Sequence, residues 1–307
     1  MSLITVGTMA FDAIETPFGK VDKIVGGSAT YVAYAASNFV QNVKQISIIG
    51  YDFPAEELEE LKKRGVKIDG VEMIKDKKSF FWSGKYHTDM NTRDTLITDL
   101  NVLADFNPIV PDSYQDAEFL MLGNLMPKLQ LSVINQMKVR PKLIVMDTMN
   151  FWMDIALDDL KEVLTKVDVL LVNDGEARQL SNEFSLVKAA KKIMAMGPKF
   201  LIIKKGEHGA LLFHENHVFY APALPLEEVF DPTGAGDTFA GGFIGHLAKT
   251  KDISFENMKT AIIVGSAMAS YCVEKFGPER LKEITKEDIE TRIGEFVELV
   301  SFDIDLV

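Results

Sequence analysis

The chain of 307 residues carries 33 Lys and Arg against 45 Asp and Glu, and its formal net charge of −12 argues against nucleic acid as its main partner. Its hydrophobic share of 47% is ample for a buried core, and its single cysteine, Cys272, excludes an internal disulfide. It has neither a charged-then-apolar leader nor an apolar run of about 18 residues, so we expect a cytoplasmic protein that does not enter a membrane.

The first element predicted is a buried strand at residues 3–7, a short apolar and β-branched run. Asp12 follows its C-terminal end, where ligands of open α/β sheets bind, although a turn residue is the simpler alternative. Residues 13–25 suggest short strands joined by turns. Gly26 and Gly27 then open a helix that runs through Ala36. Paired glycines before a helix can also serve only as packing clearance.

Residues 79–100 follow a different sequence pattern, in which aromatic and polar residues alternate on either side of a polar segment. This pattern predicts a β-hairpin. Together with residues 13–25 it would form a small sheet that covers a ligand, and we call these two segments the lid. The lid aromatics could stack on a nucleobase or shield the substrate. Two alternatives stay open, in which they pack the lid onto the core or onto the lid of a second chain in a homodimer.

The remaining strands are predicted as apolar runs, and from residue 118 they alternate regularly with helices. This alternation predicts a mostly parallel sheet with helices on both faces. Asn124 and Asn150 follow strand ends in this pattern, so they are candidates for the acceptor site, although turn chemistry explains them almost as well. The predicted strands are 45–50, 119–122, 143–146, 169–172 and 200–204, and the predicted helices are 55–64, 129–137, 156–165, 255–275 and 285–299.

Polar residues also follow the strands at 169–172 and 200–204. Asn173 and Glu176 are three residues apart at a helix start, which is the pattern of an N-cap with a supporting acid. Lys205 is either a phosphate contact or a surface charge, and Gly206 and Gly209 form a turn beside it. The spacing of His214 and His217 does not match a helical zinc motif, so we expect no zinc site there.

The most informative stretch is Asp231–Phe243, where a glycine-rich turn leads directly into an apolar helical pattern. Small residues at 234–236 let the backbone approach a ligand closely, and the first turn of a helix offers unpaired N–H groups to an anion. Asp237 follows at once, in the position of a base. A capped helix is the alternative, but a cap requires neither three small residues nor Gly241 and Gly242 in the helix body, where each costs about 1 kcal/mol.

This stretch resembles, almost letter for letter, the C-terminal signature of the ribokinase-like carbohydrate kinases, the PfkB family. In that family the amides of the residues matching Gly234, Ala235 and Gly236 form an anion hole, and the acid matching Asp237 is the catalytic base. The Gly26–Gly27 turn is similar to the family's N-terminal signature. The resemblance therefore implies that the two glycines lie against the substrate and that Asp12 holds its hydroxyls. Thr30 stands where the family usually has Asn.

The resemblance also implies a nucleotide and metal site. Asn173–Glu176 is similar to the family's Asn-x-x-Glu motif, which acts at the phosphates and places Glu176 near Mg²⁺ through water. Gly206 and Gly209 would line the ATP site, with Lys205 beside them. Many members bind a monovalent cation such as K⁺, for which Asp231 is the candidate residue.

Together these features predict a three-layer α/β fold spanning residues 1–307 as a single domain, with a mostly parallel sheet and a small β-sheet lid. We expect an ATP-dependent kinase that transfers the γ-phosphoryl group to a hydroxyl of a sugar or sugar-containing small molecule. A nucleoside kinase is the alternative within this fold, and a non-catalytic sugar or nucleotide sensor is a weaker one. The chain has no Gly-x-x-x-x-Gly-Lys-Ser/Thr motif, so it is not a P-loop enzyme.

Overall fold

The computed structural model describes residues 2–301 and 303. The strands in chain order are β1 (Leu3–Val6), β2 (Ala10–Thr16), β3 (Gly19–Gly26), β4 (Val43–Gly50), β5 (Lys67–Ile74), β6 (Phe80–Tyr86), β7 (Arg93–Asp99), β8 (Phe119–Leu122), β9 (Leu143–Asp147), β10 (Val169–Asn173), β11 (Phe200–Lys204), β12 (Ala210–His214) and β13 (His217–Ala221). The α-helices are α1 (Ser28–Ala36), α2 (Ala55–Lys63), α3 (Pro127–Asn135), α4 (Asn150–Ile155), α5 (Leu157–Leu164), α6 (Asp174–Ser181), α7 (Leu186–Met194), α8 (Ala235–Thr250), α9 (Phe255–Cys272), α10 (Glu279–Glu283) and α11 (Lys286–Val300). No helix among these is long and apolar enough to cross a bilayer.

Within the described residues, nine strands form the larger sheet, in the order β13-β12-β11-β10-β9-β8-β1-β4-β5. The strands from β11 to β5 run parallel, and β12 and β13 are antiparallel at one edge. Every residue of β1, β8 and β9 is buried, because helices cover both faces of the sheet. The predicted architecture is therefore confirmed.

Two apolar cores lie on the two faces of this sheet. One contains buried residues of α1, α8 and α9, and the other contains those of α3, α5, α6 and α7. Glycines let α1, α8 and α9 approach one another closely. A Cβ at Gly241 would lie 2.6 Å from Val32 O, and one at Gly242 would lie 2.8 Å from Met268 Cγ. These two helical glycines thus serve the close packing of the three helices.

A second sheet, in the order β3-β2-β6-β7, is formed by residues 10–26 and 80–99. It corresponds to the predicted small sheet, but its first strand begins three residues earlier than expected, at Ala10, while β6 begins one residue later, at Phe80. Asp12 consequently lies inside β2, opposite Ile24 of β3 and Trp82 of β6, and not in a turn after β1. The apolar pair Ala10 and Phe11 explains the shift, because both residues are buried in the ladder.

Three local features differ from expectation. β5 was not predicted, because it is an edge strand whose residues are mostly polar or partly exposed. The short helix α4 precedes α5 and begins at Asn150. An Asp shortly before a helix often caps it, but Pro54 is the N-cap residue of α2, and the Asp52 carboxylate instead accepts a hydrogen bond of 2.7 Å from the Ser79 backbone. Asp52 therefore ties the start of β6 to the core.

Candidate active site

The glycine turn at the start of α8 has a conformation that only glycine adopts readily. Gly234 has φ 76° and ψ −1°, in the left-handed region. A Cβ at this position would also lie 2.4 Å from the ring of Tyr31. The Ala235 N–H donates to Pro232 O at 3.2 Å, whereas the Gly234 and Gly236 amides have no acceptor among the described residues. Two of the three predicted anion-hole amides are thus available to a ligand.

Asp237 lies in the first turn of α8 and is half-buried. Burial and the negative charge of Asp147 raise the pKa of the Asp237 carboxyl to about 7, while Lys204 and Arg93 act against this rise. A carboxylate with a pKa near neutrality is suited to accept a proton at physiological pH. These surroundings fit the predicted role of a base.

Asp231 opens the same turn and is fully buried. Its two carboxylate oxygens accept hydrogen bonds from the Thr233 N–H at 2.8 Å and the Gly277 N–H at 2.9 Å. The side chain therefore joins the glycine turn to the loop after α9. Burial raises its pKa despite these bonds. Its predicted role at a monovalent cation stays a prediction.

Asp12 faces the glycine turn from the small sheet. It is only 5% exposed, and burial together with Asp231 and Asp237 raises its pKa to about 8. A Cβ at Gly26 would lie 1.9 Å from Asp12 Oδ2, so glycine at 26 leaves room for the carboxylate. Gly27, with φ 91°, is the N-cap of α1. Asp12 and the two glycines are therefore adjacent, while their contact with an acceptor stays a prediction.

The other predicted acceptor residues have surroundings of a different kind. Thr30 is fully buried in α1, and its hydroxyl has no partner among the described residues. Asn124 Oδ1 accepts a hydrogen bond of 2.8 Å from Trp152 Nε1, and Asn124 Nδ2 donates to Met149 Sδ at 3.0 Å. Asn124 thus joins the loops after β8 and β9, while Asn150 is exposed. Contact of these residues with an acceptor stays a prediction.

Asn173 and Glu176 form a reciprocal capping box at the start of α6. Asn173 Oδ1 accepts from the Glu176 N–H at 2.8 Å, and Glu176 Oε2 accepts from the Asn173 N–H at 2.7 Å. The N-cap interpretation is therefore confirmed. Burial and the charge of Asp147 raise the pKa of Glu176 to about 7. A divalent cation would relieve this unfavourable charge, which fits Glu176 as a neighbour of Mg²⁺.

Residues 2–301 and 303 contain no group of three or more His, Cys, Asp or Glu side chains arranged to hold a metal. Mg²⁺ usually keeps several waters and takes few protein carboxylates, drawing its other ligands from substrate phosphates. One half-buried carboxylate such as Glu176 agrees with that mode of binding.

The turn after β11 has two glycines with left-handed backbones, Gly206 at φ 57° and Gly209 at φ 78°. A Cβ at Gly209 would lie 2.1 Å from Ala221 O. The Lys205 N–H donates to Gly209 O at 2.8 Å and closes the turn. Asn91, at the tip of the β6–β7 hairpin, lies against this turn, because a Cβ at Gly206 would be 2.4 Å from Asn91 Oδ1. The lid therefore touches the turn that was predicted to bind the nucleotide.

Three charged residues of this crevice were not selected as site residues from the sequence. Lys204 and Asp147 end strands β11 and β9, and Lys204 Nζ lies 2.7 Å from Asp147 Oδ2. Arg93, which begins β7, also affects the pKa values of Asp12 and Asp237. The available signal was a polar residue closing an otherwise apolar strand, at the sheet edge where ligands bind.

A family model described as pfkB family carbohydrate kinase matches residues 2–284. Among curated proteins, a cytidine kinase from Thermococcus kodakarensis is 27% identical over 293 residues, which cover 94% of this chain and 97% of that protein.

Two solved structures share the fold. A nucleoside kinase from Methanocaldococcus jannaschii superposes with a TM-score of 0.76 at 21% identity, covering 96% of this chain and 99% of the other. An E. coli protein assigned as a ribokinase II, solved with ATP and Mg²⁺, gives a TM-score of 0.79 at 20% identity and covers 95% and 99% of the two chains.

Proposed function

This chain belongs to the pfkB family of carbohydrate kinases, ATP-dependent phosphotransferases with hydroxyl acceptors, and we propose that it carries out the transfer at the crevice between the glycine turn and the small sheet. The observation that carries this proposal is the grouping of Asp237, Asp12 and the free Gly234 and Gly236 amides around one space. We propose that residues 1–307 act as one domain, and that the strands at 10–26 and 80–99 form its lid.

In this proposal Asp12 binds hydroxyls of the acceptor, since a carboxylate can accept from two neighbouring hydroxyls. Gly26 and Gly27 leave a flat surface beside it, and Thr30 and Asn124 complete the acceptor site. On the nucleotide side, Asn173, Lys205 and the Gly206–Gly209 turn contact ATP. The lid contact at Asn91 and Gly206 supports closure of the lid over both substrates.

The step itself is an in-line substitution at the γ-phosphorus of ATP. The acceptor oxygen forms a bond to phosphorus, the bond to the β–γ bridging oxygen breaks, and the acceptor proton passes to Asp237. A positioned general base typically contributes about 10²–10⁴-fold. The Gly234 and Gly236 amides, with Ala235 between them in the helix start, would donate to the charge that spreads over the transferring group.

Glu176 and the phosphates would hold Mg²⁺, which neutralises phosphate charge when it is bound. We further propose K⁺ near Asp231, a cytoplasmic location, and a homodimer through the outer face of the lid. The last is supported by Leu96 and Ile97, which are 57% and 47% exposed there. Light scattering would test the dimer, because replacing both residues by Ser should leave a monomer.

A nucleoside acceptor is favoured by one further observation. Trp82 and Tyr86 lie on the same face of β6, because strand residues two and four apart share a face. Tyr86 contacts Thr233 of the glycine turn, so Trp82 also faces the crevice, beside Asp12. An aromatic ring next to the hydroxyl-binding carboxylate suits an acceptor that carries a base on its sugar.

The test is ADP release from Mg-ATP across a panel of pentoses, hexoses and nucleosides. One acceptor should stimulate release, and Asp237→Asn should lose most of that rate. Asp252→Asn, an exposed acid beyond the other end of α8, is the matched control and should keep it. A stimulated rate that survives in Asp237→Asn would overturn the base assignment, and the absence of any stimulating acceptor would count against the proposal.

A further inference from the structure

A buried ion pair lies directly beside the glycine turn. Lys204 Nζ is 2.7 Å from Asp147 Oδ2, and the side chains of Lys204 and Asp147 are 18% and 8% exposed. A Cβ at Gly236 would lie 2.9 Å from Lys204 Nζ, so the ammonium group packs against the backbone of that glycine. The pair is therefore in contact with the proposed anion hole.

The two partners come from strands that do not touch each other. Strand β10 lies between β9 and β11 in the sheet, so the pair bridges the carboxyl end of β10. Removing two charges from water is costly, and apolar residues of similar size would often give a fold that is equally stable. Stability of the sheet is thus a poor explanation for an ion pair at this position.

Acidic side chains predominate around the crevice. Asp12, Asp231, Asp237, Glu176 and Asp147 surround it, and burial is the largest cause of a raised pKa for the first four. Burial disfavours the charge on Lys204, but Asp147 and Glu176 outweigh it and raise the pKa of the ammonium group. Lys204 is consequently a fixed cation at neutral pH. A triphosphate that binds in this crevice would contact this ammonium group.

We propose that Lys204 is a catalytic residue that binds the transferring phosphoryl group, and that Asp147 is a positioning residue that holds its ammonium group against Gly236. An ammonium group has three N–H donors, and the bond to Asp147 leaves the others for phosphate oxygens. Those oxygens carry the charge of the transition state. Lys204 and the Gly236 amide would therefore donate to the same phosphoryl group. This inference rests on the proposed function.

Four variants separate this role from a structural one. Lys204→Met removes the cation and leaves Asp147 unpaired, Lys204→Arg keeps a cation, and the double variant Lys204→Met with Asp147→Asn removes both charges. Lys199→Met is the matched control, because Lys199 pairs with buried Asp168 at the amino end of β11, 3.5 Å apart. Each variant is assayed for kcat, for the KM of the acceptor, and for thermal stabilisation by ADP with aluminium fluoride, a mimic of the transferring group.

Lys204→Met should lower kcat by about 10²–10³-fold, the effect of losing one donor to a developing charge, with little change in acceptor KM. It should also lose the extra stabilisation by aluminium fluoride, while ADP alone still stabilises it. The double variant should regain Tm without regaining kcat, Lys204→Arg should regain part of kcat, and Lys199→Met should match the parent.

Recovery of kcat in the double variant would overturn the proposal, because it would make the pair structural. An unchanged kcat in Lys204→Met would do the same. A parent protein that releases no ADP with any acceptor would instead contradict the proposed function, and aluminium fluoride stabilisation would then still test Lys204.

Discussion

Tyr86 of the small sheet accepts a hydrogen bond of 3.2 Å from the hydroxyl of Thr233, inside the glycine turn. The two residues are 147 positions apart in the chain. This bond and the contact between Asn91 and Gly206 join the small sheet to both halves of the crevice. The two contacts would hold the small sheet closed over a bound substrate, as the proposed lid requires.

Tyr86→Phe should weaken that closed arrangement. Losing one hydrogen bond between neutral groups costs about 0.5–1.5 kcal/mol, so the lid should open several-fold more often. The expected result is a higher ratio of ATP hydrolysis to acceptor phosphorylation, measured as ADP against phosphorylated acceptor. Tyr114→Phe removes a tyrosine hydroxyl that bonds to the Asp69 carboxylate, in the core on the other side of the sheet, and should leave the ratio unchanged. Equal ratios in the parent and Tyr86→Phe would contradict lid closure by this bond.

The pH dependence of the reaction should follow the base. Burial and Asp147 raise the pKa of Asp237 to about 7, against Lys204 and Arg93. A base must be unprotonated to act, so kcat/KM should rise with pH through about 7. Asp147→Asn removes a negative charge, which lowers the pKa of Asp237 and should move this rise to lower pH, even where the maximal rate falls.

A pH profile of the Asp147→Asn variant that coincides with the parent's would show that another group controls activity. Asp12 also faces Asp237 and has a pKa of about 8. The control is Asp168→Asn, which changes a buried acid at the opposite end of the sheet and should leave the position of the rise unchanged.

The sequence predicted the parts of this molecule whose signal is local. Apolar runs marked the buried strands, because a strand covered on both faces needs no polar side. The glycine turn was recognisable because its conformation requires glycine at 234. Edge strand β5 lacked such a signal, since one side of it has no partner strand, none of its residues is buried, and charged residues interrupt its apolar ones.

The ion pair between Lys204 and Asp147 could not be predicted in the same way. Its partners are 57 residues apart and lie on strands separated by a third, so no spacing along the chain connects them. The sequence pointed to Lys205 instead, although Lys204 is the residue that ends β11 and points into the crevice. Gly241 and Gly242 likewise counted against a simple capped helix because of their local cost in helix propensity, whereas the packing of three helices accounts for both.

Gly234→Ala should damage both the fold and the reaction. The left-handed conformation costs a residue with a Cβ about 1–3 kcal/mol, and the new atom would also meet the ring of Tyr31. Thermal unfolding should therefore shift down, and kcat should fall because the first amide of the anion hole moves. Gly294→Ala is the matched control, since a Cβ there has nothing within 4 Å. It should raise stability by up to about 1 kcal/mol through helix propensity, without changing kcat.

Asp12→Asn should weaken acceptor binding and raise the Tm at alkaline pH. The pKa of Asp12 is raised by burial, and by Asp231 and Asp237, from 3.8 to about 8, so the folded state favours the protonated acid. This contribution to stability is complete below the ordinary pKa and is lost as pH rises through about 8. The variant has no such proton to lose. Its Tm should therefore exceed that of the parent above about pH 8, while acceptor KM rises because the hydroxyl-binding carboxylate is gone.

Asp52→Asn gives the opposite case for comparison. Burial acts to raise the pKa of Asp52, but hydrogen bonds from Ser79 and Lys23 outweigh it and hold the pKa below its usual value. Its contribution to stability is present above the ordinary carboxyl pKa, so Asp52→Asn should lower Tm at neutral and alkaline pH alike. If Asp12→Asn also lowered Tm at alkaline pH, the Asp12 carboxylate would be stabilised by its surroundings, and the acid-rich crevice could not be what raises its pKa.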